Sequence, residues 1–234
     1  MFKKKQKQTT SERPSLITLT RPSSVIAEQF RTIRTNIQFS MVDHDLKTLL
    51  VTSAGPGAGK STVSANLAVT FAMQGKRVLL VDADMRKPTV HKTFRLPNRD
   101  GLTTLLSEKD IEIGDIAHRM PTEGLFAITS GVIPPNPSEL LASKRMTQLM
   151  KEFEELFDLI IFDMPPIVAV TDAQVMASKV DGTIFVINKG GADKEMVKKS
   201  KELLDMVKAN VIGAIFNRVE LSGDNYYYYY GEKE

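Results

Sequence analysis

Nine consecutive residues, Ala54-Gly55-Pro56-Gly57-Ala58-Gly59-Lys60-Ser61-Thr62, combine three glycines, a lysine and two hydroxyls. Such a stretch can close backbone N–H groups around phosphate oxygens, because glycine permits tight turns and close approach to an anion. Lys60 would reach the β- and γ-phosphates of a nucleotide, and the Ser61 hydroxyl would bind Mg²⁺. In the common pattern G-x-x-x-x-G-K-[ST] the first glycine falls where this chain has Ala54. The context still fits, since the loop follows an apolar run and opens a helical pattern. Gly57, Ala58, Gly59, Lys60, Ser61 and Thr62 are therefore the expected phosphate-binding residues.

Two other apolar runs end in carboxylates. Leu79-Leu80-Val81 leads into Asp82, Asp84 and Arg86, and Ile160-Ile161-Phe162 leads into Asp163 and two prolines. Any one aspartate there could be a turn former or helix cap. Three of them at two strand ends, with a glycine loop at a third, point instead to the crevice where α/β sheets bind ligands. A nucleotide-bound Mg²⁺ needs one or two such carboxylates besides phosphate oxygens.

The third chemical feature is at the other end. All five tyrosines are consecutive: Tyr226, Tyr227, Tyr228, Tyr229 and Tyr230. Their flanks, with Gly223, Asp224, Asn225, Gly231 and Glu232, are polar and turn-forming, which argues against burial in a core. Five aromatics could simply be a sticky tail or stack on a partner groove. Beside a nucleotide site, however, a patch of phenol hydroxyls is a candidate phosphoacceptor, with the chain itself as the first substrate.

The elements that must position these groups alternate. Ser23-Ser24 can cap a helix running to about Met41, with Ile26, Phe30, Ile33 and Ile37 on one stripe and Glu28, Arg31 and Arg34 opposite. Strands are predicted over 48–53, 77–82, 125–129, 159–163, 183–188 and 211–217. Helices are predicted over 62–74, around 146–156, over 173–180 and over 195–208, with Met196, Val197, Ser200, Leu204 and Val207 inward in the last. Four of the six strands are near-continuous apolar runs, the pattern of parallel strands covered on both faces. The fold expected is a doubly wound, mainly parallel α/β sheet of the P-loop NTPase type. Residues 1–22 read as a flexible lead-in, 23–217 as one domain and 218–234 as a tyrosine-rich tail. The interval from Arg218 to Tyr228 spans about 33 Å when extended, enough to reach a neighbouring subunit's site or its own.

Bulk properties narrow the class. The chain has 234 residues, 42% of them apolar, and no cysteine, so thiol chemistry and a disulfide framework are excluded. A net charge of +3 argues against a nucleic-acid partner held by bulk electrostatics. No apolar run approaches the roughly 20 residues that cross a bilayer. Lys3, Lys4, Lys5 and Lys7 have no apolar segment behind them, so the start is not read as a secretory signal, and a solvated start is favoured over membrane contact. His44, His91 and His118 share no metal-ligand spacing. Met73, Met85, Met146 and Met150 read as core, and Pro134-Pro135-Asn136-Pro137 as a rigid loop leading into a helix at Ser138.

This combination resembles the bacterial tyrosine kinases (BY-kinases) that control exopolysaccharide and capsule export. The glycine loop, the D-x-D-x-R element (Asp82, Asp84, Arg86) and the strand ending in Asp163 correspond to that family's Walker A, A′ and B motifs. Glu28, Arg31 and Arg34 match its E-x-x-R-x-x-R element, and the tyrosine cluster completes the set. The family also lacks the first glycine of the loop. The resemblance runs from about Ser24 to the end and implies the following roles. Lys60 and Ser61 bind phosphates and Mg²⁺. Asp84 and Asp163 contact Mg²⁺ directly or through water. Asp82 accepts the proton of the attacking tyrosine, Arg86 positions acidic groups or phosphate, and Asn217 contacts adenine. Glu28, Arg31 and Arg34 become an oligomerisation surface, possible as a ring, rather than a solvated helix face.

The resemblance further implies ATP and Mg²⁺ as cofactors. Expected partners are protein-tyrosine substrates, a transmembrane adaptor that activates the chain, and a phosphotyrosine phosphatase. The expected location is cytoplasmic, at the inner face of the membrane through the adaptor. Two other functions compete. A partitioning-type P-loop ATPase switch would carry a lysine where this chain has Gly55, and would lack the tyrosine tail. A nucleotide-binding, non-catalytic scaffold would not need Lys60, Asp82 and Asp163 together.

Overall fold

Leu49 and Val51 point to one side of their strand and Leu50 to the other, and all three are fully buried. The computed structural model describes residues 16–41, 45–191 and 193–219, and this two-sided burial organises it. In chain order the elements are α1 (Ile17–Thr20), α2 (Val25–Ser40), β1 (Thr48–Ser53), α3 (Lys60–Ala72), β2 (Val78–Asp82), α4 (Val90–Phe94), α5 (Leu102–Ser107), α6 (Ile113–Ile116), β3 (His118–Arg119), β4 (Leu125–Ile128), α7 (Pro137–Ala142), α8 (Lys144–Leu156), β5 (Leu159–Asp163), α9 (Asp172–Ala177), β6 (Gly182–Asn188), α10 (Lys194–Met206) and β7 (Val211–Asn217).

The seven strands form one sheet in the order β3-β4-β2-β5-β1-β6-β7. Every pairing is parallel except that of β3 with β4. On one face, Leu49, Val51, Leu80 and Ile161 pack with α2, α3 and α4. On the other, Leu50, Leu79, Val81, Ile160 and Phe162 pack with the helices from α5 to α10. Parallel strands need crossover connections, and the helices that make them cover both faces, so continuous apolar runs are what β1, β2 and β5 require. The doubly wound sheet anticipated from the sequence is present. The sequence pattern missed β3, because two residues are too short to show a period.

Three local expectations need correction. The lead-in expected over 1–22 is not unstructured at its end: Ile17–Thr20 is a helical turn, and the Thr18 N–H and hydroxyl donate to Asn66 Oδ1 of α3 at 3.1 and 2.9 Å. Ser24 does cap α2, accepting the N–H of Ala27. The predicted stripe of α2 holds at Phe30, Ile33 and Ile37, which pack against the core, but Ile26 is 47% exposed and Ala27 is buried beside it instead. Met73 is 55% exposed rather than core, because α3 ends at Ala72 and the residue lies beyond its last buried turn. Met85, Met146 and Met150 are buried as expected. The five tyrosines, Lys3 to Lys7 and His44 lie outside the described residues.

Candidate active site

The glycine loop joins β1 to α3, and its conformation depends on glycine. Gly57 and Gly59 have φ of 74° and 89°, in the left-handed region that L side chains avoid. A Cβ at Gly59 would lie 2.0 Å from Asn217 Nδ2, so another residue there would displace that side chain as well as strain the backbone. Gly59 is the N-cap of α3 and brings no side-chain cap. The first intrahelical bond to it comes from Val63 N–H, which leaves the preceding amides of the first turn for an anion at the positive end of a 13-residue helix.

The carboxylates arrive from the next two strands. Asp82 of β2 and Asp163 of β5 are direct register partners at the same sheet edge, both fully buried. Lys60 projects between the acidic groups: its Nζ lies 2.8 Å from Asp84 Oδ2 and 3.8 Å from Asp163 Oδ1. Burial alone would lower the lysine, but Asp163 and Asp84 outweigh it and hold the ammonium above its ordinary value. Asp163 Oδ1 also accepts the Ser64 hydroxyl at 3.1 Å. Burial raises the pKa of Asp163 despite the opposing pull of Lys60, Ser61 and Ser64.

Asp82 is held differently. Its Oδ2 accepts the N–H groups of Thr89 and Val90, both at 2.9 Å. Burial first, and Asp163 second, push it up to about 8. One oxygen of each carboxylate, Asp82 Oδ1 and Asp163 Oδ2, is buried without a hydrogen-bond partner. Orphaned carboxylate oxygens are costly unless something binds them. Hard oxygen donors beside a phosphate loop suit Mg²⁺, which takes few protein ligands when phosphates supply the rest. Among the described residues no group of three or more His, Cys, Asp or Glu forms a metal cage. The residues present therefore fit Mg²⁺ held jointly with a nucleotide.

Arg86 does not turn toward the glycine loop. Its Nε and one terminal nitrogen form a two-pronged bond to Asp172, at 2.9 and 3.0 Å. Asp172 stands in the first turn of α9, is fully buried, and also accepts the Ser138 hydroxyl at 2.8 Å. Sequence reasoning missed Asp172 and Ser138. An acidic residue in a helix's first turn is commonplace, and nothing along the chain marks its partner. Ser64, one turn beyond Lys60, carried a weak signal through its i+4 spacing.

Asn217 ends β7 next to the loop. Its Nδ2 donates to Ala58 O at 2.9 Å and its Oδ1 accepts the N–H of Arg218 at 2.9 Å. Both polar ends are engaged within the chain, and the side chain braces the loop. The Glu28, Arg31 and Arg34 set is also less free than its spacing implied. Arg31 pairs with Glu28 and with Pro22 O, and Arg34 Nη1 donates to Thr70 O of α3 at 3.2 Å. Thr62 and Ser61 stand half-buried at the start of α3.

Comparison with known proteins places this geometry. A family model described as ParA, NUBPL iron-transfer P-loop NTPase, matches residues 46–226. This sequence contains no cysteine, the usual iron–sulfur ligand, so that likeness concerns the P-loop fold. The tyrosine-protein kinase YwqD of Bacillus subtilis (strain 168) is 49% identical over 94% of this chain and 92% of the relative. The crystal structure of the chimerical protein CapA2B2 superposes with a TM-score of 0.85 at 42% identity, over 88% of this chain and 90% of that one. The kinase domain of Escherichia coli tyrosine kinase ETK gives a TM-score of 0.82 at 31% identity, over 94% and 88%. With its phosphate loop, paired strand-end aspartates and parallel sheet, the chain belongs to the bacterial tyrosine kinase family of ParA-type P-loop NTPases.

Proposed function

We propose that this chain is an ATP-dependent protein-tyrosine autokinase. Its first substrate is the cluster Tyr226–Tyr230, delivered in trans within an oligomer, and it regulates exopolysaccharide or capsule export together with a transmembrane adaptor. The observation that carries the reading is the convergence of Lys60, Asp82, Asp84 and Asp163 on one sheet edge. The tyrosine-bearing segment follows a strand, β7, that ends on that same edge. Relatives named as tyrosine-protein kinases support the activity.

Phosphoryl transfer asks a protein mainly for positioning and charge neutralisation. The α3 amides and Lys60 supply part of it, and Ser61, Asp163 and Asp84 would hold a nucleotide-bound Mg²⁺ that would supply further charge neutralisation. Lys60 now rests on Asp84, so engaging phosphate would free Asp84 Oδ2 for the metal. A tyrosine hydroxyl titrates near 10 and needs a base at neutral pH. Asp82, with one oxygen unpartnered, takes that role in its ionised form, which the nearby Lys60 favours. Glu28 and Arg31, on the outer part of α2, are the proposed contact to a neighbouring copy. Each phosphate adds about −1.5 to −2 charges to the tail, which would expel it from the carboxylates and loosen the assembly. A phosphorylated form as large by light scattering as the unphosphorylated one would rule out that release.

The ParA-type match favours one second reading, an ATPase switch that transfers no phosphate to protein. Incubation with Mg²⁺-ATP, alone and with an adaptor's cytosolic segment, followed by mass spectrometry, separates the two. Phosphate on Tyr226–Tyr230 that is absent in Lys60→Ala supports the kinase. Phosphate appearing on a Lys60→Ala chain mixed with an active, tail-truncated one demonstrates transfer in trans. Steady ATP hydrolysis without phosphotyrosine would leave the switch.

A further inference from the structure

The sheet stops holding the aspartate-bearing strands together just where the site begins. Asp82 and Asp163 are the last register pair of β2 and β5, and Ala83 N–H donates to Asp163 O at 3.0 Å. Beyond that bond, no backbone hydrogen bond joins segments 84–92 and 164–172 among the described residues. The next polar link is the two-pronged bond from Arg86 to Asp172. It belongs to a closed cluster. The Ser138 hydroxyl donates to Asp172 Oδ1 at 2.8 Å, and its oxygen accepts from Arg86 Nη2 and from the Thr171 hydroxyl, each at 3.3 Å. The turn after β2, the first turn of α9 and the start of α7 meet there.

What Arg86 anchors is the turn that aims Asp84. Asp84 Oδ1 accepts Lys87 N–H at 3.0 Å, which closes a turn over 84–87 with Arg86 inside it. Asp84 Oδ2 is left to face Lys60 at 2.8 Å. The last torsion of an aspartate is soft, so pinning one oxygen decides where the other points. Met85 is fully buried and fixes one side of the turn, and Arg86 fixes the other. The far end of the link is equally firm. Asp172 is fully buried, and the segment before it is stitched to β1: the Thr52 hydroxyl donates to Pro165 O at 2.8 Å, and Ile167 N–H to Ser53 O at 2.9 Å. Asp172 thereby ties the turn to the root of the glycine loop.

We infer that Arg86, Asp172 and Ser138 are positioning residues for the metal site. They hold Asp84 Oδ2 where a nucleotide-bound Mg²⁺ needs it, without touching metal or nucleotide themselves. The inference rests on the Mg²⁺-nucleotide site derived above and, for phosphoryl transfer, on the kinase reading. Mg²⁺ demands near-ideal octahedral geometry, so it tolerates little error in the place of a ligand. Outer partners that orient a ligand matter for that reason, and losing one weakens metal binding or activity by about 10–100-fold. A guanidinium suits this task. Its planar fork grips a carboxylate in one orientation, which a lysine ammonium cannot do. Arg86 faces Asp172 and Ser138 rather than the glycine loop, so a nucleotide bound without metal would not sense its loss.

The test measures binding of fluorescently labelled ADP to the full chain, with Mg²⁺ titrated in and with Mg²⁺ removed by EDTA. Arg86→Lys keeps the charge and loses the fork, and Asp172→Asn loses the charge. In both, the Mg²⁺ concentration that half-saturates the ADP complex is expected to rise about tenfold, while ADP affinity in EDTA stays within about twofold of the parent. Ser138→Ala removes one hydrogen bond, moves the same way by about threefold, and decides the matter if the other two do not fold. A network that only stabilises would lower the melting temperature and leave the Mg²⁺ response in place. That result, an equal loss of ADP affinity with and without Mg²⁺, or a parent indifferent to Mg²⁺, overturns the positioning role. The kinase reading fails separately. No phosphotyrosine from the parent, with the Mg²⁺ response still shifted in the variants, sinks the kinase and keeps the positioning residues. Phosphotyrosine formed at the same Mg²⁺ concentration by parent and variants keeps the kinase and sinks them.

Discussion

Removing Arg86 should cost this protein more than removing its partner. The two charge-assisted bonds between Arg86 and Asp172, at 2.9 and 3.0 Å, are shared, but their surroundings are not. The Asp172 side chain is 0% exposed and that of Arg86 39%. Arg86→Ala strands a buried carboxylate with only the Ser138 hydroxyl to answer it, a loss of about 3–5 kcal/mol. Asp172→Asn leaves an arginine that can turn to water, and the amide oxygen still accepts one bond, so the loss should be about 1–2 kcal/mol. The double variant should cost less than the two losses added, because the residues are in direct contact. Urea unfolding of the three variants measures all of this, and the losses are large against the roughly 5–15 kcal/mol that holds a domain together. If Arg86→Ala unfolds within about 0.5 kcal/mol of the parent while losing nucleotide affinity, the ion pair is not its purpose and the arginine serves phosphate instead.

Three further outcomes are expected. Gly59→Ala places a Cβ 2.0 Å from Asn217 Nδ2 at a φ of 89°, so calorimetry should register no Mg²⁺-ADP binding at concentrations that saturate the parent; parental affinity would contradict the loop geometry. Asn217→Ala removes the brace at Ala58, and the affinities for ADP and GDP should fall together by about fivefold, the worth of one hydrogen bond; a loss confined to ADP would return Asn217 to the adenine. Asp82 is raised in the folded protein, so between the ordinary aspartate range and about pH 8 the folded state holds a proton that the unfolded state has lost. Stability of the ligand-free protein should therefore decline as pH rises through that window, by at most about 1.4 kcal/mol per pH unit, and Asp82→Asn should flatten the slope. A parent curve that is level from pH 6 to 8.5 would count against the raised carboxylate.

The sequence by itself determined the sheet's character and the chemical inventory. Both were legible because each signal is local. Apolar runs such as Leu49–Val51 demand burial on two faces, and a glycine loop between a strand and a helix can do little but present amides. Carboxylates at the ends of parallel strands must share an edge, which is why Asp82 and Asp163 proved to be register partners. What only the tertiary structure decided is how these groups are held. Arg86 meets Asp172 across 86 positions, Asn217 meets Ala58 across 159, and Thr18 meets Asn66 across 48. Asn98 likewise meets Gly131 across 33 positions and pins a distant turn. Spacing along a chain announces neighbours within one helix or strand. Partners drawn from different elements are selected by how layers pack and which buried polar groups must be satisfied, and no local pattern records that choice.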